Sequence, residues 1–362
     1  MKPKILTILG ARPQFVKAAV LSRVIKEYQQ IEEVIVHTGQ HYDSNMSDVF
    51  FEEMQIPRPK YFLNINGLQH GAMTGQMLEK IEQVLSEEKP DAVVVYGDTN
   101  STLAGALAAK KLHIKLIHVE AGLRSFNMAM PEEINRILTD RIADLLVCPT
   151  RQAVDNLKLE GFEHFQSKIV QTGDIMKDAV MFYSETSALK STVCQTLNLR
   201  KDKFILATIH RQENTDNEQR LKTIFEALND LNQSKKVVMP LHPRTKKMME
   251  RCGITTAITL IDPVGYFDML ELLKHCSMVV TDSGGLQKEA FFNQKPVLIV
   301  REETEWLELV EHGYAMITGA DAGKIKDAFD RFAAQHPVYN KNLYGNDVGR
   351  MIYKEIVRLI GF

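Results

Sequence analysis

The stretch DAVVVYGDTNSTLAGALAAKKLHIKLIHVEAG, residues 91–122, contains the repeating unit of the fold. It begins with an apolar run rich in valine, continues through an alanine-rich segment, and ends with a second apolar run. A nearly continuous run of valine, isoleucine and leucine is typical of a strand that is covered on both faces. A strand, a helix and a second strand in this order predict a parallel pair joined by a right-handed crossover.

The same alternation continues along most of the chain. Further strand-like runs are KILTILG, EVIVHTG, DLLVCPT, KIVQTGD, KFILATIH, VVMPLHP, ITLIDP, MVVTDSG and PVLIV. The pattern stops in a polar segment without a strand and restarts near Lys201, so we expect a hinge at about residues 174–200. The sequence therefore predicts an α/β protein with two doubly wound parallel-sheet domains. The amphipathic segment at 347–362 has no following strand, and its pattern is compatible with packing on either domain.

Composition narrows the class of protein. The chain has 362 residues, which suits two domains, and its net charge of −2 argues against a broad nucleic-acid surface. The four cysteines are far apart and form no Cys-x-x-Cys pair, so neither a zinc site nor a disulfide framework is predicted. No signal peptide or membrane-spanning run is visible, and we expect a cytoplasmic protein without metal or cofactor. The absence of Gly-x-Gly-x-x-Gly and Walker motifs disfavours a dehydrogenase or a P-loop enzyme.

Polar residues follow most of the predicted strands. In open parallel sheets, ligands bind outside the carboxyl ends of the strands, and two domains that face each other form a cleft there. The residues at these positions pair cations and histidines with carboxylates, a composition typical of a site for an anionic ligand. They are Arg12, Gln40, Asp98, Glu120, His210, Arg211, His242, Arg244, Asp282 and Ser283.

Two of these positions resemble phosphate sites. Ser283-Gly284-Gly285 opens a helix after a strand, and Glu289 follows one turn later, where its carboxylate would accept two ribose hydroxyls. Arg12 and Lys17 stand at another strand end beside a helix start, which suggests a diphosphate clamp. The alternative interpretations are that Ser283-Gly284-Gly285 only forms a tight turn and that Arg12 and Lys17 are simply exposed cations. Asp98 is equally compatible with a helix cap, and a single histidine such as His210 is more often structural than catalytic.

The ordered set of segments resembles one family over essentially the whole chain. GARPQ, TGQH, YGDTNST, HVEAGLR, MPEEINR, IHRQEN, PLHPRT, TDSGGLQKEA and LYGNDVG resemble motifs of the non-hydrolysing UDP-N-acetylglucosamine 2-epimerases. The resemblance implies a GT-B-like fold of two Rossmann-like domains, with the terminal helix crossing back onto the first domain. We accordingly predict a first domain of residues 1–173 plus 348–362 and a UDP-binding second domain of residues 174–347. It also implies a homodimer.

The activity implied by the resemblance is the interconversion of UDP-GlcNAc and UDP-ManNAc through elimination of UDP to 2-acetamidoglucal and its re-addition. The resemblance also implies roles for individual residues. Asp98, Glu120 and Glu132 match the family's acidic residues, His210 its essential histidine near the diphosphate, and we expect Arg136 to hold Glu132. Glu133 is interpreted as an ordinary first-turn residue of a helix. Positions that match UDP contacts are Arg12, Lys17, Ser283, Gly284, Gly285 and Glu289, and those that match a second or interdomain site are Gln40 and His242.

Other substrates and reactions are compatible with the same residues. Gln14 in GARPQ, Tyr96 before Gly-Asp-Thr, and the LHPRT segment depart from the form typical of bacterial UDP-GlcNAc enzymes. This form is similar to that of relatives that epimerise modified sugars such as UDP-2,3-diacetamido-glucuronate. A hydrolysing epimerase, a GT-B glycosyltransferase and a non-catalytic nucleotide-sugar-binding module are further alternatives.

Overall fold

The computed structural model describes residues 2–40, 51–52 and 55–361. The chain divides into two compact units, of which the first comprises Met1–Ala179 with Asn342–Phe362 and the second Val180–Lys341. Each unit contains one sheet in which the paired strands are all parallel. The predicted fold class, two parallel-sheet α/β domains, is confirmed.

The first unit has a sheet of seven strands among the described residues. The strands are β1 (Lys4–Leu9), β2 (Glu32–His37), β3 (Tyr61–Phe62), β4 (Ala92–Tyr96), β5 (Lys115–Val119), β6 (Leu145–Cys148) and β7 (Lys168–Gln171). The helices that follow them include α1 (Arg12–Tyr28), α2 (His70–Glu88), α3 (Asn100–Lys111), α4 (Pro131–Ile142) and α5 (Arg151–Leu159). The order across the sheet is β3-β2-β1-β4-β5-β6-β7, so the direction of winding reverses between β1 and β4.

The segment predicted as a hinge is helical. α6 (Ile175–Lys190) and α7 (Val193–Thr196) occupy most of residues 174–200. The boundary between the two units lies inside α6, between Ala179 and Val180. The polar composition that suggested a linker therefore belongs largely to helix surface.

The second unit, residues 180–341, is described throughout and has a six-stranded sheet. Its strands are β8 (Phe204–Thr208), β9 (Lys236–Pro240), β10 (Thr259–Ile261), β11 (Met278–Thr281), β12 (Val297–Ile299) and β13 (Ala315–Ile317). Its further helices are α8 (Gln212–Thr215), α9 (Glu218–Ser234), α10 (Pro243–Cys252), α11 (Tyr266–His275), α12 (Gly284–Phe292), α13 (Leu307–Glu311) and α14 (Ala322–Ala334). The order β10-β9-β8-β11-β12-β13 reverses between β8 and β11.

Each core forms where the apolar strands meet the helices. Every residue of β4 is fully buried, as the valine run predicts, and burial of each such side chain contributes roughly 1.5–3 kcal/mol. Gly105 in α3 allows close packing on the sheet, because a Cβ at this position would lie 2.5 Å from Ile8 Cδ1. In the second unit, Leu228 of α9 is fully buried in one cluster with Ile205 and Val280 of the sheet. In the described part of the chain, no helix has both the length and the apolar character needed to cross a membrane.

The last helix, α15 (Val348–Ile360), packs on α1 of the first unit. The Tyr353 ring stacks on Tyr28 with centroids 4.7 Å apart, and its hydroxyl donates to Gln30 Oε1 at 3.0 Å. The Gly349 N–H donates to Asp178 Oδ2 at 2.8 Å, which fixes the start of the helix. The chain thus returns from the second unit to complete the first.

Gly173 permits the close approach of this returning segment. Its φ is +99°, and a Cβ on it would lie 2.2 Å from the carbonyl oxygen of Tyr344, a backbone atom that cannot rotate away.

We expect Gly173→Ala to lower the free energy of unfolding by roughly 2–4 kcal/mol, the range of a strained backbone position combined with a clash. The variant should also have a lower thermal midpoint when unfolding is measured by circular dichroism. Gly67→Ala is the matched control, since Gly67 has φ +67° but has open space around the added Cβ. Equal midpoints for the two variants would contradict the clash.

Candidate active site

The two reversals of winding define where a ligand can approach each sheet. A crevice opens where the order reverses, because consecutive helices there leave toward opposite faces. In the first unit, the loops after β1 and β4 meet at this point and carry Arg12 and Asp98. In the second unit, the loops after β8 and β11 meet and carry His210 and Ser283. The predicted residues therefore lie at the ligand-binding edges of their sheets.

Lys17 and Glu120 form an ion pair in the first unit. The Lys17 ammonium donates to Glu120 Oε2, and the two side chains are only 8% and 12% exposed. Gly97 makes room for the pair, because a Cβ on it would lie 3.2 Å from Glu120 Oε2. Glu120 itself has φ +74°, and such a conformation in a non-glycine residue is often retained at functional sites. A predicted diphosphate-binding cation and a predicted proton-transfer carboxylate are thus in direct contact.

Arg136 joins two carboxylates. Its Nη2 donates to Asp98 Oδ2 at 2.5 Å, its Nε to the same oxygen at 3.1 Å, and its Nη1 to Glu133 Oε2 at 3.0 Å. Helical side chains point back toward the N-terminus, which brings Arg136 over the turn that contains Glu132 and Glu133. The pairing with Asp98 and Glu133 was not predicted from the sequence, and the predicted support of Glu132 by Arg136 stays a prediction. Glu132 is half-buried in the first turn of α4.

Glu133 has a larger structural role than the start of a helix. It is fully buried and accepts hydrogen bonds from the Ser125 N–H at 3.0 Å, the Ser125 hydroxyl at 2.9 Å and the Phe126 N–H at 2.9 Å. Together with Arg136, these donors satisfy a buried charge that would otherwise be costly. Glu133 therefore orders the loop before α4, a role that adjacent glutamates in a sequence do not reveal.

Gln14 connects the two loops at the first switch point. Its Oε1 accepts from the N–H groups of Gly10 and Ala11 at 2.7 and 2.9 Å, and its Nε2 donates to the Tyr96 carbonyl at 2.8 Å. Nε2 also lies 2.9 Å from Thr102 Oγ1. A carboxylate in this position could accept but not donate, so the amide is suited to both sets of partners. The departure from glutamate noted in GARPQ thus has a structural role in this chain.

Asp282 has the corresponding position in the second unit. It is fully buried, and its Oδ2 accepts from the N–H groups of His210 and Arg211, both at 3.0 Å, and from Asn214 Nδ2 at 3.1 Å. The carboxylate after β11 therefore fixes the main chain after β8. The position of Asp282 at a strand end is visible in the sequence, but its role is not, because its donors are distant in sequence.

His210 and His242 lie side by side, with ring centroids 5.6 Å apart. Partial removal from water lowers the pKa of His210, the charges of Arg211 and His242 act in the same direction, and Asp282 opposes them. Burial and Arg244 likewise lower the pKa of His242. His242 also caps α10 by accepting the Arg244 N–H at 3.2 Å on Nδ1. A neutral His210 would still be able to donate one N–H to a phosphate oxygen.

Gln40, the other residue predicted for a second site, is held at the start of α3. Its Oε1 accepts from the Ser101 N–H at 3.0 Å and the Ser101 hydroxyl at 2.7 Å. This contact lies in the first unit, and His242 lies in the second.

The start of α12 is open to a ligand. Gly285 is exposed, and a Cβ added to it would have nothing within 4 Å. Ser283 is the N-cap, and its main-chain N–H donates to Thr281 Oγ1 at 2.9 Å, which sets the direction of the loop. Glu289 is half-buried one turn beyond Gly285. The first N–H groups of a helix lack intrahelical partners and bind anions well, so this loop has the geometry of a phosphate site.

Comparison with known proteins identifies the family. Residues 23–355 match the family model described as UDP-N-acetylglucosamine 2-epimerase. The chain belongs to this family. The predicted family and the predicted enzyme class, an isomerase, are confirmed, since the related proteins are named as UDP-sugar 2-epimerases.

The relatives of this epimerase-family chain have different named substrates. It is 56% identical over 318 residues to the UDP-2,3-diacetamido-2,3-dideoxy-D-glucuronate 2-epimerase of Pseudomonas aeruginosa, with 88% of each chain covered. It is 42% identical over 353 residues to the UDP-N-acetylglucosamine 2-epimerase of Methanocaldococcus jannaschii, with 95% of each covered. The crystal structure of Methanocaldococcus jannaschii UDP-GlcNAc 2-epimerase in complex with UDP-GlcNAc and UDP matches with a TM-score of 0.89 at 41% identity, over 99% of this chain and 100% of that one.

The environment of His210 gives a testable charge state. Because its pKa is lowered from 6.5, we expect the ring to be neutral at pH 7 and to titrate below pH 6.5 in an NMR titration of its ring protons. Asp282→Asn removes the charge that raises the pKa, so the midpoint should fall further. A midpoint above 6.5 in the unaltered protein, or an upward shift in the variant, would contradict this assignment.

Proposed function

We propose that this chain is a non-hydrolysing UDP-sugar 2-epimerase that inverts C2 of a UDP-linked 2-acetamido sugar. A base removes the C2 proton, the electron pair forms a C1–C2 double bond, and UDP leaves with the electrons of the anomeric C–O bond. A proton then returns to the opposite face of C2, and UDP adds back to C1. Family membership supports this reaction, and the observation that carries it is the set of carboxylates at one edge of the first sheet.

Three carboxylates are proposed to transfer protons. Asp98 and Glu120 follow neighbouring strands β4 and β5, and Glu132 lies in the first turn of α4. The side chains of Asp98 and Glu120 are 30% and 12% exposed, so both are largely removed from water without being sealed off. Arg136 beside Asp98 and Lys17 beside Glu120 offset the repulsion between like charges. General acid–base catalysis by positioned carboxylates typically contributes roughly 10²–10⁴-fold to a rate.

The leaving diphosphate requires positive charge and N–H donors that act more strongly as negative charge develops. We assign this role to Arg12 and Lys17 in the first unit, and to His210 with the Ser283-Gly284-Gly285 turn in the second. Glu289 is assigned to the ribose hydroxyls. The open start of α12 and the ligand-binding edge of each sheet support these assignments.

Two substrates suit this reaction. The pair UDP-GlcNAc and UDP-ManNAc is supported by the relatives named UDP-N-acetylglucosamine 2-epimerase and by the structure solved with UDP-GlcNAc and UDP. UDP-2,3-diacetamido-2,3-dideoxy-D-glucuronate is supported by the higher identity, 56%, to the Pseudomonas aeruginosa enzyme. Both sugars carry an acetamido group and a proton at C2. The higher identity favours UDP-2,3-diacetamido-2,3-dideoxy-D-glucuronate over UDP-GlcNAc as the substrate.

The proposal includes a homodimer in the cytoplasm. α4 exposes Ile134 and Leu138, which are 41% and 46% accessible and lie four residues apart on one face. An apolar stripe of this kind is suited to a subunit interface. A nucleotide sugar is a charged solute that does not cross a bilayer unaided, which supports a location where such sugars are made.

Isotope exchange tests the reaction and selects the substrate. In D₂O, the protein should place deuterium at C2 of the recovered UDP-sugar and generate its C2 epimer, without accumulating free UDP in proportion to turnover. UDP-GlcNAc and UDP-2,3-diacetamido-2,3-dideoxy-D-glucuronate are compared in parallel at equal concentration. Stoichiometric UDP release would indicate a hydrolysing epimerase. Transfer to an acceptor without C2 exchange would indicate a glycosyltransferase.

Substitution of the carboxylates tests their roles. We expect Glu120→Gln and Glu132→Gln each to reduce C2 exchange by roughly 10²–10⁴-fold while UDP binding measured by calorimetry persists. His210→Ala should weaken both binding and exchange, because we assign it to the diphosphate. Glu163→Gln is the matched control, since that side chain is 62% exposed and outside the site. Exchange at the rate of the unaltered protein in either Glu→Gln variant would show that the acid–base assignment is wrong.

A further inference from the structure

His118 is a buried histidine whose two ring nitrogens both have partners. It lies in β5, two residues before Glu120, and is fully inaccessible to solvent. Its Nδ1 is 2.6 Å from Asp140 Oδ1, and its Nε2 is 2.7 Å from the carbonyl oxygen of Gly97. Both distances are those of short hydrogen bonds.

Both partners of His118 accept hydrogen bonds. A main-chain carbonyl has no proton to give, so Nε2 must carry one. Asp140 accepts two further hydrogen bonds on Oδ2, from the Gly122 N–H at 3.1 Å and from Arg124 Nη1 at 2.7 Å. His118 and Asp140 therefore share the hydrogen bond between Nδ1 and Oδ1, while Nε2 donates to the Gly97 carbonyl.

Further charged groups surround this pair. Burial alone would raise the pKa of Asp140, but His118 and Arg124 lower it. Arg124 also forms a two-bond contact with Glu160 after α5, with distances of 2.6 and 2.8 Å. The thiol of Cys148 in β6 lies near this group and is neutral, since burial raises its pKa. Asp140 thus links His118 to Arg124, whose other carboxylate partner, Glu160, lies at the surface.

The His118 and Asp140 pair, called the His118 dyad below, joins the three segments that hold the proposed acids. Gly97 immediately precedes Asp98 in the loop after β4. His118 is on the strand that ends just before Glu120, and Asp140 is on α4, whose first turn contains Glu132. Asp140 additionally holds the Gly122 N–H, on the other side of Glu120. One buried dyad therefore ties all three segments together.

We propose that the His118 dyad consists of positioning residues, in which the buried hydrogen bonds of His118 and Asp140 fix the spacing of Asp98, Glu120 and Glu132. The inference rests on the proposed function, because that function makes these three carboxylates the proton-transfer groups. Charge-assisted hydrogen bonds are about twice as strong as neutral ones, which suits them to hold a precise geometry. A displacement of about 1 Å at reacting groups costs roughly 10²-fold in rate, so loss of the dyad affects turnover before binding.

NMR of the unaltered protein tests the hydrogen bonds of the ring. The ¹⁵N shift of His118 Nε2 should have the value of a protonated nitrogen, and its proton should exchange slowly with solvent, because it donates to the Gly97 carbonyl inside the fold. His37 provides an internal comparison, since it is 2% exposed but stacks on Phe15 and Phe62 outside the dyad. An unprotonated Nε2 on His118 would overturn the proposal whatever the activity.

Variants test the positioning role. His118→Asn keeps a donor toward Asp140 but removes the donor to Gly97, and His118→Gln does the reverse. Asp140→Asn removes the negative charge that pairs with Arg124. We expect each to lower kcat for C2 epimerisation by roughly 10–100-fold with KM changed less than threefold, since the diphosphate contacts are elsewhere. His37→Gln is the matched control, because it removes a buried histidine of the same sheet that stacks on Phe15 and Phe62 outside the dyad. It should retain the kcat of the unaltered protein.

The outcomes separate this inference from the proposed function. An unaltered protein that exchanges C2 of no UDP-sugar contradicts the proposed function, while the ring shifts still report on the dyad. Variants that fold, as shown by circular dichroism, and retain kcat contradict the positioning role alone. An equal fall of kcat in His37→Gln would show a general loss of stability and would also contradict it.

Discussion

The reversal of strand order in each sheet brings together main-chain polar groups that need hydrogen-bond partners. The rest of the site depends on the side chains that supply those partners. At that point two loops from different strands meet without a helix to cover them, and their main-chain groups need partners. Gln14 provides them in the first unit by accepting from Gly10 and Ala11 and donating to the Tyr96 carbonyl. Asp282 provides them in the second unit by accepting from His210 and Arg211. Each side chain satisfies the main-chain groups where the two loops meet and leaves the outer edge of the sheet open for a ligand.

The carboxylates of the first unit divide into two physical groups. Glu133 and Asp140 are fully buried, and each is surrounded by several donors, so their capacity to accept is used by the protein. Asp98 pairs with Arg136, Glu120 pairs with Lys17, and both carboxylates retain some exposure. A group that exchanges protons with a ligand needs such exposure, whereas a group that organises loops does not. Burial therefore distinguishes the structural acids from the candidate catalytic ones.

Most of the strands could be predicted from the sequence, because they lie in apolar runs that differ clearly from their surroundings. β3 and β13 were missed, since Tyr61–Phe62 has only two residues and Ala315–Ile317 has one β-branched residue, whereas the equally short β10 and β12 have two each. The ends of the predicted strands identified Asp98, Glu120 and His210 as candidate site residues, because a position directly after a strand can be read from the sequence. The partners of Arg136, the roles of Gln14 and Glu133, and the His118 dyad depend on contacts between residues distant in sequence or on side-chain direction. No spacing rule predicts such contacts from one chain.

An epimerase differs from most acid–base enzymes because its reaction runs in both directions at one carbon. In the proposed reaction, the group that removes the C2 proton from one epimer must return a proton to the same face in the reverse direction. The carboxylates that act on the two faces of C2 can then be neither permanently ionised nor permanently protonated, so charge alone cannot define their roles. What must stay constant is their position on opposite faces of C2. Buried groups away from the ligand, such as His118 and Asp140, can hold that geometry while the carboxylates beside the ligand change protonation state.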